Sequence, residues 1–298
     1  MTRAGILTAV AEGIVASPLR ELALHRTTRR LREAHGASRA ASVAFYLGEG
    51  LARRNETLVG RLRTGSPIVL DMREYAHRHV YFHGTYEEPT TRLLHRLAQP
   101  GWTVVDVGAN NGYFTLLSAD LGGAGAQVHA FEPNPAVARL LGAGVRLSGW
   151  RGIAVREAAC GDASFEAPLY LSADPRNSGL STLEAALATG RAQLTVPVVR
   201  LDDYCREEGI EPDLVKVDAE GYEDRVIRGM GGLLERGVPR ILICELARDA
   251  RRPDPAGIVE ELSAAGYTAH RIGADGGLLP LAAFDFENIC FVSGLRDA

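Results

Sequence analysis

The chain has 298 residues, of which 46% are apolar and 23% charged, with a formal net charge of -4. That is globular composition, long enough for one large domain with an appendage or for two domains. The acidic balance argues against a protein whose main task is coating nucleic acid, and no nucleic-acid partner is expected. The apolar patches at 6–19 are broken by Glu12 and Pro18 and are too short to span a bilayer, so neither a transmembrane segment nor a cleaved leader is expected.

Residues 1–66 stand apart. They are rich in Ala, Leu and Arg at helical spacing, with no convincing strand, and eleven Arg against five Glu give them +6, leaving -10 for the remainder. A helical extension is expected there, acting as a cap, a homodimerisation arm or an acceptor-binding element; a basic surface for an anionic partner is the alternative. Residues 67–298 form the main domain. Strand-like runs at 68–70 and 79–82 open it, and from Gly101 a regular alternation follows. Strands are expected over 103–107, 127–132, 153–158, 214–218, 240–246, 267–272 and 288–292, with helices over 135–147, 223–235 and 255–265.

Short apolar runs such as V-V-D-V and I-L-I-C suit strands buried on both faces. Their alternation with helices implies an α/β fold with a doubly wound, mostly parallel sheet. Two extra strands, at 169–171 and 195–201, insert after the third main strand. Cys160, Cys205, Cys244 and Cys290 show no paired spacing, which suits reduced, buried thiols in a cytoplasmic protein. Of the 33 basic residues all but Lys216 are Arg, which draws attention to that position.

Three motifs carry chemistry. In V-V-D-V-G-A-N-N-G-Y-F a buried strand ends at Asp106, and Gly108 and Gly112 open a helix at the edge where doubly wound sheets bind cofactors. A dinucleotide fingerprint would need glycine where Asn110 stands. In F-E-P-N, Glu132 ends the next strand, where a carboxylate can accept both hydroxyls of a ribose. Together, Asp106 and Glu132 point to a nucleoside ligand without a diphosphate, and S-adenosylmethionine fits. The third motif, D-L-V-K-V-D-A-E-G-Y-E, ends a strand in Asp218 and Glu220, with Lys216 and Asp218 on one side of it. Charges there are costly unless paired or functional. Glu245 ends the neighbouring strand and can face the same cleft, while Glu223 suits a helix N-terminus.

These motifs, with N-S-G-L-S-T-L at 177–183, V-V-R-L-D-D-Y, V-I-R-G-M and I-L-I-C-E-L in the same order, resemble the FkbM family of S-adenosylmethionine-dependent methyltransferases. The resemblance runs over residues 84–292. It implies a class I methyltransferase domain at 67–298: a seven-stranded Rossmann-like sheet with an antiparallel last strand. It also implies a cofactor site made by Asp106, Gly108, Asn110 and Gly112 around the methionine part and by Glu132 at the ribose, with Pro133 and Asp162 beside them. Gly84, Tyr86 and Glu87 match a piece that closes over the cofactor. Asp218, Glu220 and Gly221 match the acid-rich loop facing the methyl group, and Asn177 and Ser181 belong to the insertion. The family modifies mostly hydroxyls of sugars, glycans and polyketide-type natural products, so a small-molecule or glycan hydroxyl acceptor is expected. In agreement, the chain has D-A-E-G where an amine methyltransferase carries an Asn/Asp-Pro-Pro-aromatic motif, and it has no Pro-Cys nucleophile.

An alcohol is a poor nucleophile at neutral pH, so a base is wanted. Asp218, Glu220, Lys216 and the histidines of 77–83 are the candidates, Lys216 because an ammonium can lose its proton where a guanidinium cannot, although pairing of Lys216 with a neighbouring acid is the preferred reading. Asp218, Glu220 and Glu245 could also hold Mg²⁺, although direct hydrogen bonding to sugar hydroxyls is the preferred reading. His77 and His79 are read as part of a solvated hairpin. Two other classes compete: a nicotinamide-dependent oxidoreductase, which lacks its third glycine here, and a non-catalytic partner protein with a degenerate cofactor site.

Overall fold

The structure is a computed structural model that describes residues 57–174, 176–246, 252, 254–281 and 288–294. The helices and the dimerisation arm expected in the extension lie outside the described residues as far as residue 56. From Thr57 onward that expectation is corrected. Strand β1 (Thr57–Arg61) pairs antiparallel with β2 (Pro67–Asp71), so a boundary at 66 would cut a hairpin. All five residues of β2 are buried, and Leu58 of β1 with them, which ties the hairpin to the main core.

Residues 79–82 are helical rather than extended, and the histidines do not form a solvated hairpin: both belong to α1 (Tyr75–His83). Its buried His77, Val80 and Tyr81 recur at i, i+3 and i+4, a helical period that the alternation of aromatic residues at 79 and 81 masks. Gly84, left-handed at φ 67°, ends the helix by donating its N–H to the Val80 carbonyl. Helix α2 (Glu88–Leu97) leads into the expected alternation of β3 (Thr103–Val107), α3 (Tyr113–Gly122), β4 (Gln127–Phe131), α4 (Pro135–Ser148) and β5 (Ile153–Arg156). Asn134 starts α4 by accepting the Ala136 N–H, with Pro135 in the first turn.

The strand expected over 153–158 ends at Arg156. After β5, the strand β6 (Ala159–Gly161) leaves for a separate sheet with β7 (Phe165–Tyr170) and β8 (Gln193–Arg200), in the order β6-β8-β7. The expected insertion is therefore a three-stranded unit. Its β7–β8 connection contains two 3-10 turns, Ser178–Leu180 and Ala185–Leu187. Helix α5 (Leu201–Glu208) and strand β9 (Leu214–Val217) follow. The single helix expected over 223–235 is two, α6 (Glu223–Arg228) and α7 (Gly231–Leu234). Between them Gly229 lies so near β6 that a Cβ would stand 1.9 Å from the Gly161 carbonyl oxygen, and this close approach accompanies the break. Strand β10 (Ile241–Glu245), α8 (Pro255–Ala264), β11 (Tyr267–Ile272), β12 (Leu278–Pro280) and β13 (Asn288–Ser293) complete the described elements.

The main sheet runs β12-β11-β13-β10-β9-β3-β4-β5. Strands β3, β4, β5, β9 and β10 are parallel, and β13 is antiparallel to both β10 and β11, as expected. The hairpin partner β12 makes eight strands where seven were expected. Neighbouring residues of the central strands point into different layers. Val104, Leu214 and Ile243 pack with Leu117 and Tyr81, whereas Val105, Val215 and Leu242 pack with Leu233 and Phe291. Truncating a buried Leu in either layer costs about 2–5 kcal/mol. All four cysteines are buried and unbonded. Among the described residues, no helix is long and apolar enough to cross a membrane. Strand order turns at β3, whose neighbours β4 and β9 lead away in opposite directions; the crevice beyond the carboxyl ends of such strands is where open α/β sheets bind ligands.

Candidate active site

A cavity occupies that crevice, with walls from the turns after β3, β4, β9 and β10 and from residues 177–183 of the insertion. The turn after β3 is dictated by contact. Gly108 has φ 76°, and a Cβ on it would stand 1.8 Å from the Asp218 carbonyl oxygen, so only glycine lets the β3 and β9 loops meet. The N–H groups of Gly108 and Ala109 both donate to the Phe131 carbonyl, at 3.0 and 2.9 Å. Asn110, left-handed at φ 50°, accepts the Asn111 N–H at 2.7 Å through Oδ1.

Two members of the expected cofactor set stand behind this wall rather than in it. Gly112 starts α3 at φ 87°, where a Cβ would strike Leu141 Cδ1 at 2.2 Å; its absence of a side chain seats α3 against α4. Asp106 is 1% exposed and accepts the Thr115 hydroxyl at 2.6 Å through Oδ2, while Oδ1 has no partner among the described residues. Burial pushes its carboxyl up, against the pull of Lys216 on the neighbouring strand. A third member, Asp162, is not at the cavity at all: it pairs with Arg225 at 3.0 Å.

Glu132 and Pro133 do line the cavity. Glu132 Oε2 accepts the Asn110 N–H at 2.9 Å and Oε1 the Asn134 N–H at 2.8 Å, so one carboxylate holds two loops. Burial raises it to about 7 despite these two bonds. Glu87 also lines the cavity, left-handed at φ 40°; its Oε2 accepts the Asn288 amide at 2.6 Å, and burial pushes it up. Tyr86 stands beside it, whereas Gly84 does not line the cavity: it ends α1 and accepts the Arg63 N–H.

The opposite wall is acidic. Asp218, Glu220 and Glu245 each offer a carboxylate oxygen within 4.8 Å of the others. Lys216 donates to Asp218 at 3.0 Å, and its ammonium sits 4.8 Å from the centre of the Phe114 ring. Arg252 donates to Glu220 and reaches Glu245 at 3.5 Å. Burial is the largest influence on Asp218 and would raise it, but Lys216, the hydrogen bond with Glu245 and the charge of Arg252 together hold that carboxyl below the usual range. The Asp218 charge, then burial, then Glu220 push Glu245 up to about 9, so it is protonated at neutral pH and shares a hydrogen bond with Asp218. Burial and then Asp218 bring Glu220 to about 7. For Lys216, burial acts downward, but Asp218, Glu87 and Asp106 win and raise it. Of the two roles expected of Lys216, base or paired cation, the geometry favours the preferred one, a cation bonded to a neighbouring acid, Asp218. Glu223 is not in the cavity wall; it accepts the N–H groups of Ala219 and Gly221 and shapes the loop behind it.

Further contributions to the cavity come from outside the strand-end motifs. His77, in a segment read as strand, is buried and bonded to Asn110, and only a helical reading of 75–83 would have brought it there. Arg252 has no local motif. Ser178 donates its N–H to Glu74 at 2.8 Å and Thr182 its hydroxyl to the Glu220 carbonyl at 2.8 Å, so the insertion is tied to both sides of the cavity.

No curated protein matches the sequence. Similar solved structures include a SAM-dependent methyltransferase from Agrobacterium tumefaciens, with 12% identity and a TM-score of 0.42 over 79% of this chain and 69% of that one. The TYW2 of M. jannaschii in complex with AdoMet shows 12% identity and a TM-score of 0.40 over 79% and 84%. The fibrillarin of Aeropyrum pernix with natively bound S-adenosyl-L-methionine shows 14% identity and a TM-score of 0.39 over 79% and 98%. The family model described as the Methyltransferase FkbM domain matches residues 106–269, more than half of the chain, and the chain belongs to that methyltransferase family.

Proposed function

We propose that the cavity binds S-adenosyl-L-methionine and that the protein transfers its methyl group to a hydroxyl of a sugar, glycan or polyketide-type natural product. The observation that carries this reading is the division of one cavity into two walls. Glu132, held by two backbone N–H groups, keeps lone pairs for a pair of ribose hydroxyls. The turn at Gly108 and Asn110 presents backbone and amide groups beside it, and the Asp218–Glu220–Glu245 wall faces them.

The cofactor, when bound, supplies an already activated methyl group. What the protein must add is position, exclusion of water and acceptance of a proton. Residues 177–183 close one side of the cavity against solvent. Asp218 and Glu245, which share one proton, present oxygens that can hydrogen-bond an acceptor hydroxyl and its neighbour. Within the acidic wall, Glu220, at about 7, is the carboxylate whose protonation changes nearest neutral pH, and it is assigned as the group that takes the hydroxyl proton. Arg252 and Lys216 already balance the acidic wall, so these carboxylates are assigned to hydrogen bonding rather than to Mg²⁺; chelator treatment should leave activity unchanged. With four buried, unbonded thiols the protein suits the cytoplasm.

Titration calorimetry with S-adenosylmethionine, S-adenosylhomocysteine and NAD⁺ in parallel tests the reading. Saturable binding of the two adenosyl ligands alone is expected. Binding of NAD⁺ alone would contradict it.

A further inference from the structure

Helix α1 lies beneath the glycine turn, and its His77 is held by two directional hydrogen bonds. Nδ1 accepts the Asp71 backbone N–H at 3.0 Å, and Nε2 lies 3.1 Å from Asn110 Oδ1. A backbone N–H can only donate, so Nδ1 carries no proton. The neutral ring then bears its hydrogen on Nε2 and donates it to Asn110. Burial holds the imidazole in this neutral form, and the ring is 1% exposed.

The consequence falls on Asn110. Its Oδ1 accepts from both His77 and the Asn111 N–H, which fixes the orientation of the amide. The amide Nδ2 is thereby turned the other way, toward the insertion: a Cβ on Gly179 would stand 3.2 Å from it. The backbone N–H of the same residue donates to Glu132. Asn110 adopts a left-handed conformation, which a non-glycine residue keeps only where its surroundings determine it.

We propose that His77 is a positioning residue of the cofactor site: through one donated hydrogen bond it sets the Asn110 amide, and with it the junction between the glycine turn, Glu132 and the insertion. This rests on the cavity being the adenosyl site proposed above. His77 itself does not line the cavity and touches no reacting atom. The imidazole therefore has two separable duties, an acceptor for Asp71 and a donor for Asn110.

Two substitutions separate them. His77→Asn places an amide oxygen near the Nδ1 position and keeps the Asp71 bond, but it is too short to reach Asn110. His77→Gln places an amide nitrogen near the Nε2 position and keeps the Asn110 bond, at the expense of Asp71. Each protein, unaltered and variant, is titrated with S-adenosylhomocysteine by calorimetry, and its Tm is measured without ligand. A positioning role requires His77→Asn to bind about tenfold more weakly, the usual effect of one lost hydrogen bond, with a Tm near that of the unaltered protein. His77→Gln should keep its affinity even where its Tm falls. Affinity that simply follows Tm across both variants would overturn the proposal and leave His77 as packing alone. Failure of the unaltered protein to bind S-adenosylhomocysteine would overturn the adenosyl reading itself, and the role of His77 with it.

Discussion

The two walls of the cavity are built on different principles. The wall after β3 and β4 is made of backbone: glycine at a close approach, N–H groups on the Phe131 carbonyl, and one carboxylate clamped between two amides. The wall after β9 and β10 is made of side-chain charge: three carboxylates balanced by Lys216 and by Arg252, which comes from a segment well beyond β10. The first is a fixed shape, suited to a ligand that is always the same. The second is a charge network whose protonation can change, suited to chemistry and to a variable acceptor. A shape should fail abruptly when a single atom intrudes, whereas a charge network should respond in degrees and with pH.

The largest effect is expected from intrusion. Gly108→Ala pushes a methyl group into the Asp218 carbonyl and separates the two walls; affinity for S-adenosylhomocysteine should fall by about a hundredfold or more in a calorimetric titration. Next comes Glu132→Ala, which removes the clamp on both loops and should weaken the same ligand by about ten- to hundredfold.

The charge wall should answer to pH. Because Glu220 titrates near 7, and only its deprotonated form can take a proton, turnover should rise as pH increases from 6 to 8. Glu220→Gln should abolish that rise in a pH–rate profile while leaving cofactor affinity in place. The smallest effect concerns stability. Glu245 is raised in the folded protein to about 9 from an ordinary 4.5, so the folded state keeps a proton that the unfolded chain releases. Its contribution is full below about 4.5 and is lost as pH rises toward 9. Glu245→Gln stays neutral throughout, so its Tm should fall less between pH 6 and 9 than that of the unaltered protein in thermal melts without ligand.

The contrast also explains what could be read from the sequence. Buried strands, the glycine turn and the strand-end acids are local, and β3, β4, β9, β10 and β13 stand where their apolar runs place them. Glu132, Asp218, Glu220 and Glu245 reach the cavity because parallel strands deliver their carboxyl ends to one edge. Asp106 and Gly112 belong to the same motif, but which motif residues face the ligand and which face the core depends on α3 and α4 packing behind the turn. Lys216 and Asp218 were correctly placed on one side, yet the sign of the lysine's shift needed Glu87, 129 residues earlier, and Asp106. Arg252, His77 and the ties from Glu74 to Ser178 arise from tertiary contact. The helix α1 was missed because aromatic residues at alternate positions imitate a strand, and β1 because a short strand in a basic, Leu-rich stretch has little local signal.

The central claim, two walls with separable duties, is tested most directly by titrating S-adenosylhomocysteine into Glu132→Ala and Asp218→Asn side by side, with turnover measured on the same samples once an acceptor is in hand. Glu132→Ala should lose affinity, while Asp218→Asn should bind within about threefold of the unaltered protein and lose about a hundredfold in turnover. Abolished binding in Asp218→Asn together with intact binding in Glu132→Ala would contradict the assignment of the walls.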